Sequence, residues 1–430
     1  LFIKRGHDDT VSNDNVDDSK RLRLLQVITN LGPGGAQRAF YDHCKSFAHH
    51  YNVEQVVFNQ FEQSDLYGSV QVCHSLDVGG GGSVLVKLYN LLRRSFKLSH
   101  LAQRRNADLI ISHMDGANWV NVLALTFCPK VLVVHGTLLR DERINGLYQW
   151  LRRRFIFPFL YNCADITVAV SDGIMAELKQ CGVRNVQSIP NFFDVAHIIK
   201  RAGEPLPEAY DELLTRYPVL VTSGRFSEQK KQQFLIKVFS AVKLRVPGIK
   251  LVLLGDGELR VRLLQTATNE GLSCYCEWGP GPFSTHYDVY FPGYVANPFS
   301  FLSRSRLFLF PSGWEGFPLA LCEAMICGVP VLSADCPSGP RQILAPETIN
   351  LHYNLAVAEA TPNGVLLPMY NQEGAITIWR DAVVAALNNS ESIRQMAANA
   401  FLRVQAFDKE QVLKKWFAII ESFLPQKEQL

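Results

Sequence analysis

A chain of 430 residues, 47% hydrophobic and 19% charged, is too long for one hydrophobic core and too apolar to be disordered, collagenous or fibrous. A formal net charge of +3 with no accompanying binding motif argues against nucleic acid as a partner. The 10 cysteines are scattered through apolar segments such as LALC and AMIC, as reduced thiols are, and Cys274 and Cys276 have no second pair to make a zinc site. With no signal-peptide pattern and no run of about 18 apolar residues, the expected compartment is the cytoplasm.

In chain order, residues 1–20 are polar and acidic, with HDDTVSNDNVDDSK at His7 to Lys20, and read as a disordered tail. Short apolar runs then alternate with amphipathic helical patterns: LLQVIT (24–29), VEQVVF (53–58), DLIIS (108–112), KVLVV (130–134), DITVAV (165–170) and NVQSI (185–189). After PNFFD at Pro190 to Asp194 and a polar stretch near 202–212, the alternation restarts with PVLVTSG (218–224), IKLVLLG (249–255), RLFLF (306–310) and VPVLSA (329–334). Apolar strands separated by helices predict parallel sheets covered on both faces. Two such series predict two doubly wound α/β domains, residues 21–195 and 196–410, with residues 411–430 a helix able to cross back to the first.

Charge is unevenly spread. Residues 20–195 carry 19 Lys and Arg against 13 Asp and Glu, whereas residues 196–430 carry 22 of each. The surplus gathers in RRSFK, QRR and WLRRRFIFPFLY, Trp150 to Tyr161. Basic residues interleaved with aromatics suit either an anionic membrane surface or a helix with one core face and one solvated face.

Ligands of open α/β sheets bind beyond the carboxyl ends of the strands, so the residues that follow each strand are the candidates for chemistry. The first strand runs into NLGPGGAQRAF, where Gly34 and Gly35 open a helix whose bare amides favour an anion. It lacks the GxGxxG spacing of a nicotinamide site. The fourth strand ends at His135 in VVHGT. In the second domain GRFSEQKK supplies Arg225, Lys230 and Lys231, cations suited to a diphosphate. LLGDGE brings Gly255 to the cleft edge, and PSGWEGFPLALCEAM brings Glu315 and Glu323. Eight residues at 3.6 per turn place two carboxylates on nearly one helical face, where each could accept from vicinal hydroxyls of a sugar or a ribose; an ordinary salt-bridged pair fits the spacing as well.

EGFPLALCEAMICGVPVLSADCPSGPRQIL resembles the EGFxxxxxEAMxxGxPVxxxDxxxGPxEIL segment of the retaining, nucleotide-sugar-dependent GT-B glycosyltransferases of family 4. GGAQR, VAVSDGI, IPNFFD, GRFSEQKK, GDGE, PGYV and NGVLLP fall in that family's order. The chain departs from the pattern at Gln342, where Glu is usual, and at Lys231, where Gly is usual. The resemblance implies a GT-B fold, two Rossmann-like domains facing a cleft, with the donor held by the second.

By the same resemblance, Arg225 and Lys230 bind the donor diphosphate, with Lys231 beside them, and Glu323 holds the ribose. Glu315 with the amides of Gly316, Phe317 and Leu319 holds the donor sugar, His135 approaches it from the first domain, and Gly34 and Gly35 line the phosphate side. No DxD motif offers a metal site, so no metal or other cofactor is expected and the nucleotide sugar, UDP-linked in the branch most resembled, is a co-substrate. That branch builds bacterial surface polysaccharide and lipid-linked oligosaccharide. It implies a glycan acceptor on polyprenyl diphosphate, met at the inner face of the cytoplasmic membrane with Trp150 to Tyr161 as peripheral contact. A UDP-sugar 2-epimerase of the same shape and a non-catalytic sugar-nucleotide-binding module are the alternatives.

Overall fold

The computed structural model describes residues 21–32, 34–59, 72–137, 146–348 and 355–423; the acidic stretch at 1–20 lies outside them. The first domain holds seven parallel strands: β1 Arg23–Ile28, β2 Asn52–Val57, β3 Cys73–Ser75, β4 Leu109–His113, β5 Lys130–Val134, β6 Ile166–Ala169 and β7 Val186–Ser188. Their order is β3-β2-β1-β4-β5-β6-β7. The second domain holds β8 Val219–Ser223, β9 Lys250–Leu254, β10 Cys274–Cys276, β11 Val289–Gly293, β12 Leu307–Phe310, β13 Val331–Ala334, β14 Glu359–Thr361 and β15 Gly364–Leu367. They lie in the order β10-β11-β9-β8-β12-β13-β15-β14, with only the edge strand β14 antiparallel to its neighbour.

Strands such as KLVLL and LFLF are buried at every position, because helices cover both faces and no side of a central strand meets water. The strands missing from the sequence reading are short or irregular. β3, β10 and β14 have three residues each, and β11 contains a proline and a terminal glycine, too little for a hydrophobic period to register.

Both strand orders reverse direction once, between β1 and β4 and between β8 and β12. Loops that leave adjacent strands at such a point diverge and open a crevice. The two crevices face each other: Arg38 of the first domain meets Glu323 of the second, and Gly316 of the second lies against the His135 backbone of the first.

The chain crosses between the domains twice, and the crossings are tied together. The Phe193 amide donates to the Phe407 carbonyl at 3.0 Å, and the Lys409 amide donates to the Phe193 carbonyl at 2.9 Å. Helix Val195–Ala202 starts at Asp194, whose side chain accepts from the His197 amide, a side-chain cap that satisfies an otherwise unpaired donor. Helix Lys409–Ser422 begins at the second crossing and packs on helix Gly35–Phe47 of the first domain, with the Trp416 ring 4.9 Å from His43 and 5.9 Å from Phe47.

The departure at Gln342 has a local cause. Its Oε1 accepts from the Asp172 amide at 2.9 Å and its Nε2 donates to the Asp172 carboxylate at 2.8 Å, across the domain interface. A glutamate could keep only the first bond and would set its charge against Asp172. Gln342→Glu is therefore expected to loosen the closed arrangement by about 1–2 kcal/mol, read as a larger radius of gyration in small-angle scattering, with Asp172→Asn in the same chain reversing it. No change in the single variant would remove the pair from the closure.

The basic-aromatic segment divides into two faces. Arg152, Phe157 and Tyr161 are buried; Arg152 donates to Asp115 at 2.5 Å and the Tyr161 hydroxyl donates to the other oxygen of Asp115 at 2.8 Å. Trp150, Phe155 and Phe159 are exposed.

Candidate active site

The loop after β8 brings in the first charge. Glu228–Lys230 forms one 3-10 turn, which aims Lys230 back under β12. Its Nζ donates to Glu315 Oε1 at 2.6 Å and lies 5.2 Å from the Phe310 ring centre. Glu315 is buried, and Lys230 neutralises its charge. Lys231 takes the left-handed conformation, φ 49, which accounts for glycine in the family pattern. Its ammonium stands over the Tyr370 ring at 4.0 Å and over Trp314 at 5.6 Å, where cation–π attraction offsets the backbone cost.

Arg225 stands elsewhere. It lies on the outer lip, 59% exposed, paired with Glu258 of the next loop at 3.1 Å. An exposed pair of this kind is worth roughly 0–1 kcal/mol, so the guanidinium is free to exchange partners. Gly255, expected from the sequence at the donor, has a backbone task of its own. Its amide is spent on the Gly293 carbonyl at 2.9 Å, and a side chain there would strike the Gly224 carbonyl at 2.1 Å. It is glycine so that two strand ends can meet.

The loop from β12 to helix Leu319–Ile326 supplies the donors. The helix starts at Leu319 after Pro318, so Glu315 is outside it and the shared-face spacing of the two glutamates does not apply. The amide of Glu315 donates to the Pro337 carbonyl, whereas those of Gly316, Phe317 and Leu319 meet no acceptor among the described residues. Three open amides beside a lysine make an anion- and hydroxyl-binding cradle. The Phe317 ring turns away, packing on Phe407 at 5.2 Å and Phe193 at 6.3 Å, and so anchors this loop to the crossings.

Glu323 is also paired. Arg38, in the first turn of helix Gly35–Phe47, donates its Nη1 to Glu323 Oε1 from the opposite domain. Arg38 also approaches Asp42 at 3.8 Å. Burial raises the Asp42 carboxyl to about 6, with Arg38 opposing and the Glu323 charge reinforcing. Sequence reasoning quoted Arg38 within GGAQR without giving it a role; its place in the first turn of a helix opening onto the crevice was the available signal. Gly34 is the extended residue before that helix and no side chain caps it. A methyl on Gly35 would rest 3.5 Å from Leu319 Cδ1, so the start of this helix lies against the donor loop.

His135 follows β5 and ends a buried polar row. Gln26 of β1 accepts from His113 Nε2 at 2.9 Å, and the other nitrogen of His113, at the end of β4, lies 2.9 Å from His135 Nε2. With the amide oxygen of Gln26 facing His113, the protons follow in sequence: His113 Nε2–H donates to Gln26, His135 Nε2–H donates to His113 Nδ1, and His135 Nδ1 keeps its lone pair. That nitrogen has no partner among the described residues. Burial pushes His135 down to about 4 and His113 well below its ordinary value, with the neighbouring imidazoles adding to the effect, so the row is neutral near pH 7.

The two halves touch where a side chain cannot be. A Cβ on Gly316 would fall 1.7 Å from the His135 carbonyl oxygen and 3.2 Å from Gly136 Cα, and those atoms are backbone. Gly316→Ala must therefore hold the domains about 1 Å or more apart. A displacement of that size costs on the order of 10²-fold in a positioned reaction. The expectation is a loss of that order in kcat/KM with little change in melting temperature; full activity would show that closure at Gly316 is dispensable.

Comparison with known proteins agrees with this architecture. Residues 33–197 match the model described as Glycosyltransferase Family 4, and residues 217–364 match the model described as Glycosyl transferases group 1. An uncharacterized glycosyltransferase of Methanocaldococcus jannaschii is 28% identical over 77% of this chain and 84% of its own length. An N-acetylgalactosamine-N,N'-diacetylbacillosaminyl-diphospho-undecaprenol 4-alpha-N-acetylgalactosaminyltransferase of Campylobacter jejuni is 22% identical over 76% of this chain and 85% of its own. Among solved structures, Anabaena HepE in complex with UDP and glucose superposes with a TM-score of 0.71 at 20% identity, covering 93% of this chain and 100% of HepE. With one family domain on each side of a crevice built as described, the chain belongs to the family 4 glycosyltransferases of GT-B fold.

Proposed function

We propose that the protein transfers a hexosyl or N-acetylhexosaminyl group, with retention, from a UDP-sugar to a glycan carried on polyprenyl diphosphate at the cytoplasmic face of a membrane. The observation that carries this reading is the Lys230–Glu315 pair at 2.6 Å beneath three uncommitted amides and opposite the bare nitrogen of His135. The Campylobacter relative named for a diphospho-undecaprenol acceptor and the UDP complex of HepE support the choice of acceptor and nucleotide.

Cleaving a glycosyl–phosphate bond leaves an oxocarbenium-like sugar and adds charge to the departing diphosphate, so fixed cations and amides there favour the transition state over the ground state. Lys230 supplies the half-buried cation, and Arg225 swings from Glu258 onto the diphosphate as the lip closes. The amides of Gly316, Phe317 and Leu319 and the Glu315 carboxylate position the sugar. Glu315, already engaged by Lys230, binds and does not attack. The acceptor hydroxyl enters on the face the diphosphate leaves, and a diphosphate oxygen takes its proton. His135 Nδ1 accepts from a sugar hydroxyl. The free oxygen of Glu323 accepts from the ribose while Arg38 keeps the other. No metal is assigned a part.

A donor screen by thermal unfolding tests this directly. A nucleotide sugar at 100 times its dissociation constant stabilises the folded chain by about 2.7 kcal/mol. UDP-sugars are expected to raise the melting temperature in metal-free buffer with EDTA. A response to GDP-mannose alone would move the donor class, and a response that appears only with a divalent ion would overturn the protein-cation account.

A further inference from the structure

A second exposed apolar surface lies apart from the segment that the arginines mark. Helix Val84–Arg105 follows β3 and is exposed at every position of its first turn and a half, Val84 to Tyr89. Val84 is 81% exposed, Leu85 77% and Phe96 74%, and Leu88, Tyr89 and Leu92 lie more than half in water. At 100° per residue these six side chains fall within one sector of about 140°, so they form a single stripe. The helix first meets the core at Leu91 and is buried from Ser95 onward, through Leu98, Ser99 and Ala102.

The overhang is held in place from its other side. Asn90 Nδ2 donates to the Gly79 carbonyl at 2.9 Å, and Arg94 Nη2 donates to the Val78 and Gly79 carbonyls at 2.7 and 2.9 Å while its guanidinium covers the Phe58 ring at 4.2 Å. The stripe is thus presented by the rest of the domain.

Its charge is one-sided. From Val78 to Ala107 the sequence has Lys87, Arg93, Arg94, Lys97, Arg104 and Arg105 and no Asp or Glu. Lys87, Arg93 and Arg104 are exposed. Helix Asp115–Leu123 packs against this helix and against Phe157–Tyr161, so exposed Trp150, Phe155 and Phe159 belong to the same layer. In a parallel α/β unit the start of a helix lies at the carboxyl edge of the strands, which is the edge that bears the crevice.

We propose that helix Val84–Arg105 docks the protein on an anionic lipid bilayer, its apolar stripe entering the headgroup boundary and its cations meeting lipid phosphates. The proposal builds on the lipid-linked acceptor, since a membrane at this edge brings polyprenyl diphosphate to the crevice mouth. Arg105 is paired with Glu54, but a second copy of the chain is still the poorer occupant, because a two-fold contact would set exposed Lys87, Arg93 and Arg104 against their own copies. No helix of the described residues is long and apolar enough to cross a membrane, so contact is from one side.

Sedimentation of the whole chain with vesicles that lack any acceptor provides the test. The protein is expected to bind phosphatidylcholine vesicles containing phosphatidylglycerol and to bind pure phosphatidylcholine far less. Lys87→Glu with Arg93→Glu is expected to lower partition onto the anionic vesicles by at least about 30-fold, from about 1 kcal/mol per cation near the surface. Leu85→Ser, Leu88→Ser and Phe96→Ser together should abolish binding while leaving the donor's thermal shift intact. Protein that stays in the supernatant with anionic vesicles, or variants that bind as the parent does, would overturn the proposal. So would a dimer in sedimentation velocity that the serine variant dissolves without any change in lipid binding. Loss of the donor response alone would count against the transferase reading and leave the docking surface standing.

Discussion

Lys230→Met is expected to lower kcat by about 10³-fold, the scale seen when a preorganised donor to developing negative charge is removed. The same substitution leaves the buried Glu315 carboxylate unpaired, a loss of about 3–5 kcal/mol in stability, so the single variant mixes catalysis with folding. Glu315→Gln in the same chain separates them when it is read against Glu315→Gln alone, which carries whatever loss the sugar-positioning carboxylate causes. An amide needs no counter-charge, so the double variant should regain most of the lost melting temperature. If Lys230 acts on the leaving diphosphate, the stable double variant stays inactive under saturating donor. Recovery of turnover in the double variant would reduce Lys230 to a structural partner of Glu315 and remove the engine from the proposed mechanism.

How far the site could be read in advance depended on whether a residue's task is local. Lys230, Glu315 and His135 follow strands directly, and the rule that strand ends line the crevice reaches them without knowledge of packing. The open amides of Gly316, Phe317 and Leu319 are similarly local, since a loop closing on a proline before a helix leaves donors unspent. What stayed hidden are partnerships across long separations. Arg38 meets Glu323 over 285 positions, and Gln26 reaches His113 over 87; no period in the sequence encodes which strand lies beside which. Gly255 is ambiguous in the sequence for a related reason. A glycine that clears space for a ligand and one that clears space for the Gly224 carbonyl look alike until the backbone is seen. Arg225 stands between the two cases: its position after β8 is legible, its rotation onto Glu258 is not. The charge surplus in Trp150 to Tyr161 drew attention away from Val84–Arg105 because composition counts Arg152 as a surface cation, whereas Asp115 holds it inside.

Stability is expected to fall steeply as pH drops below about 6.5, for a reason built into the wall behind the cleft. His43 is packed among Phe47, Phe192 and Trp416 with ring centres 5.5, 5.3 and 4.9 Å away, and neither of its nitrogens has a partner among the described residues. Burial, with His135 nearby, pushes it down to about 3. Between pH 6.5 and 3 the unfolded chain therefore takes up a proton that the folded chain refuses, and the unfolded state gains by roughly 2 kcal/mol at pH 5 from His43 alone. His113 acts in the same direction, and so does His135, which burial lowers less far, to about 4. Asp42 opposes them. Raised to about 6 yet about a third exposed, it binds a proton in the folded state before the unfolded one does and offsets only a part of that loss. The net expectation is several kcal/mol lost between pH 7 and pH 5 in urea unfolding. His43→Phe should flatten the slope by one proton, because a phenyl ring fits the aromatic cage and brings no nitrogen to desolvate. It should also leave stability at pH 7 equal to or above that of the parent. An unchanged slope in the variant would show that His43 is reached by water and that the acid sensitivity arises elsewhere.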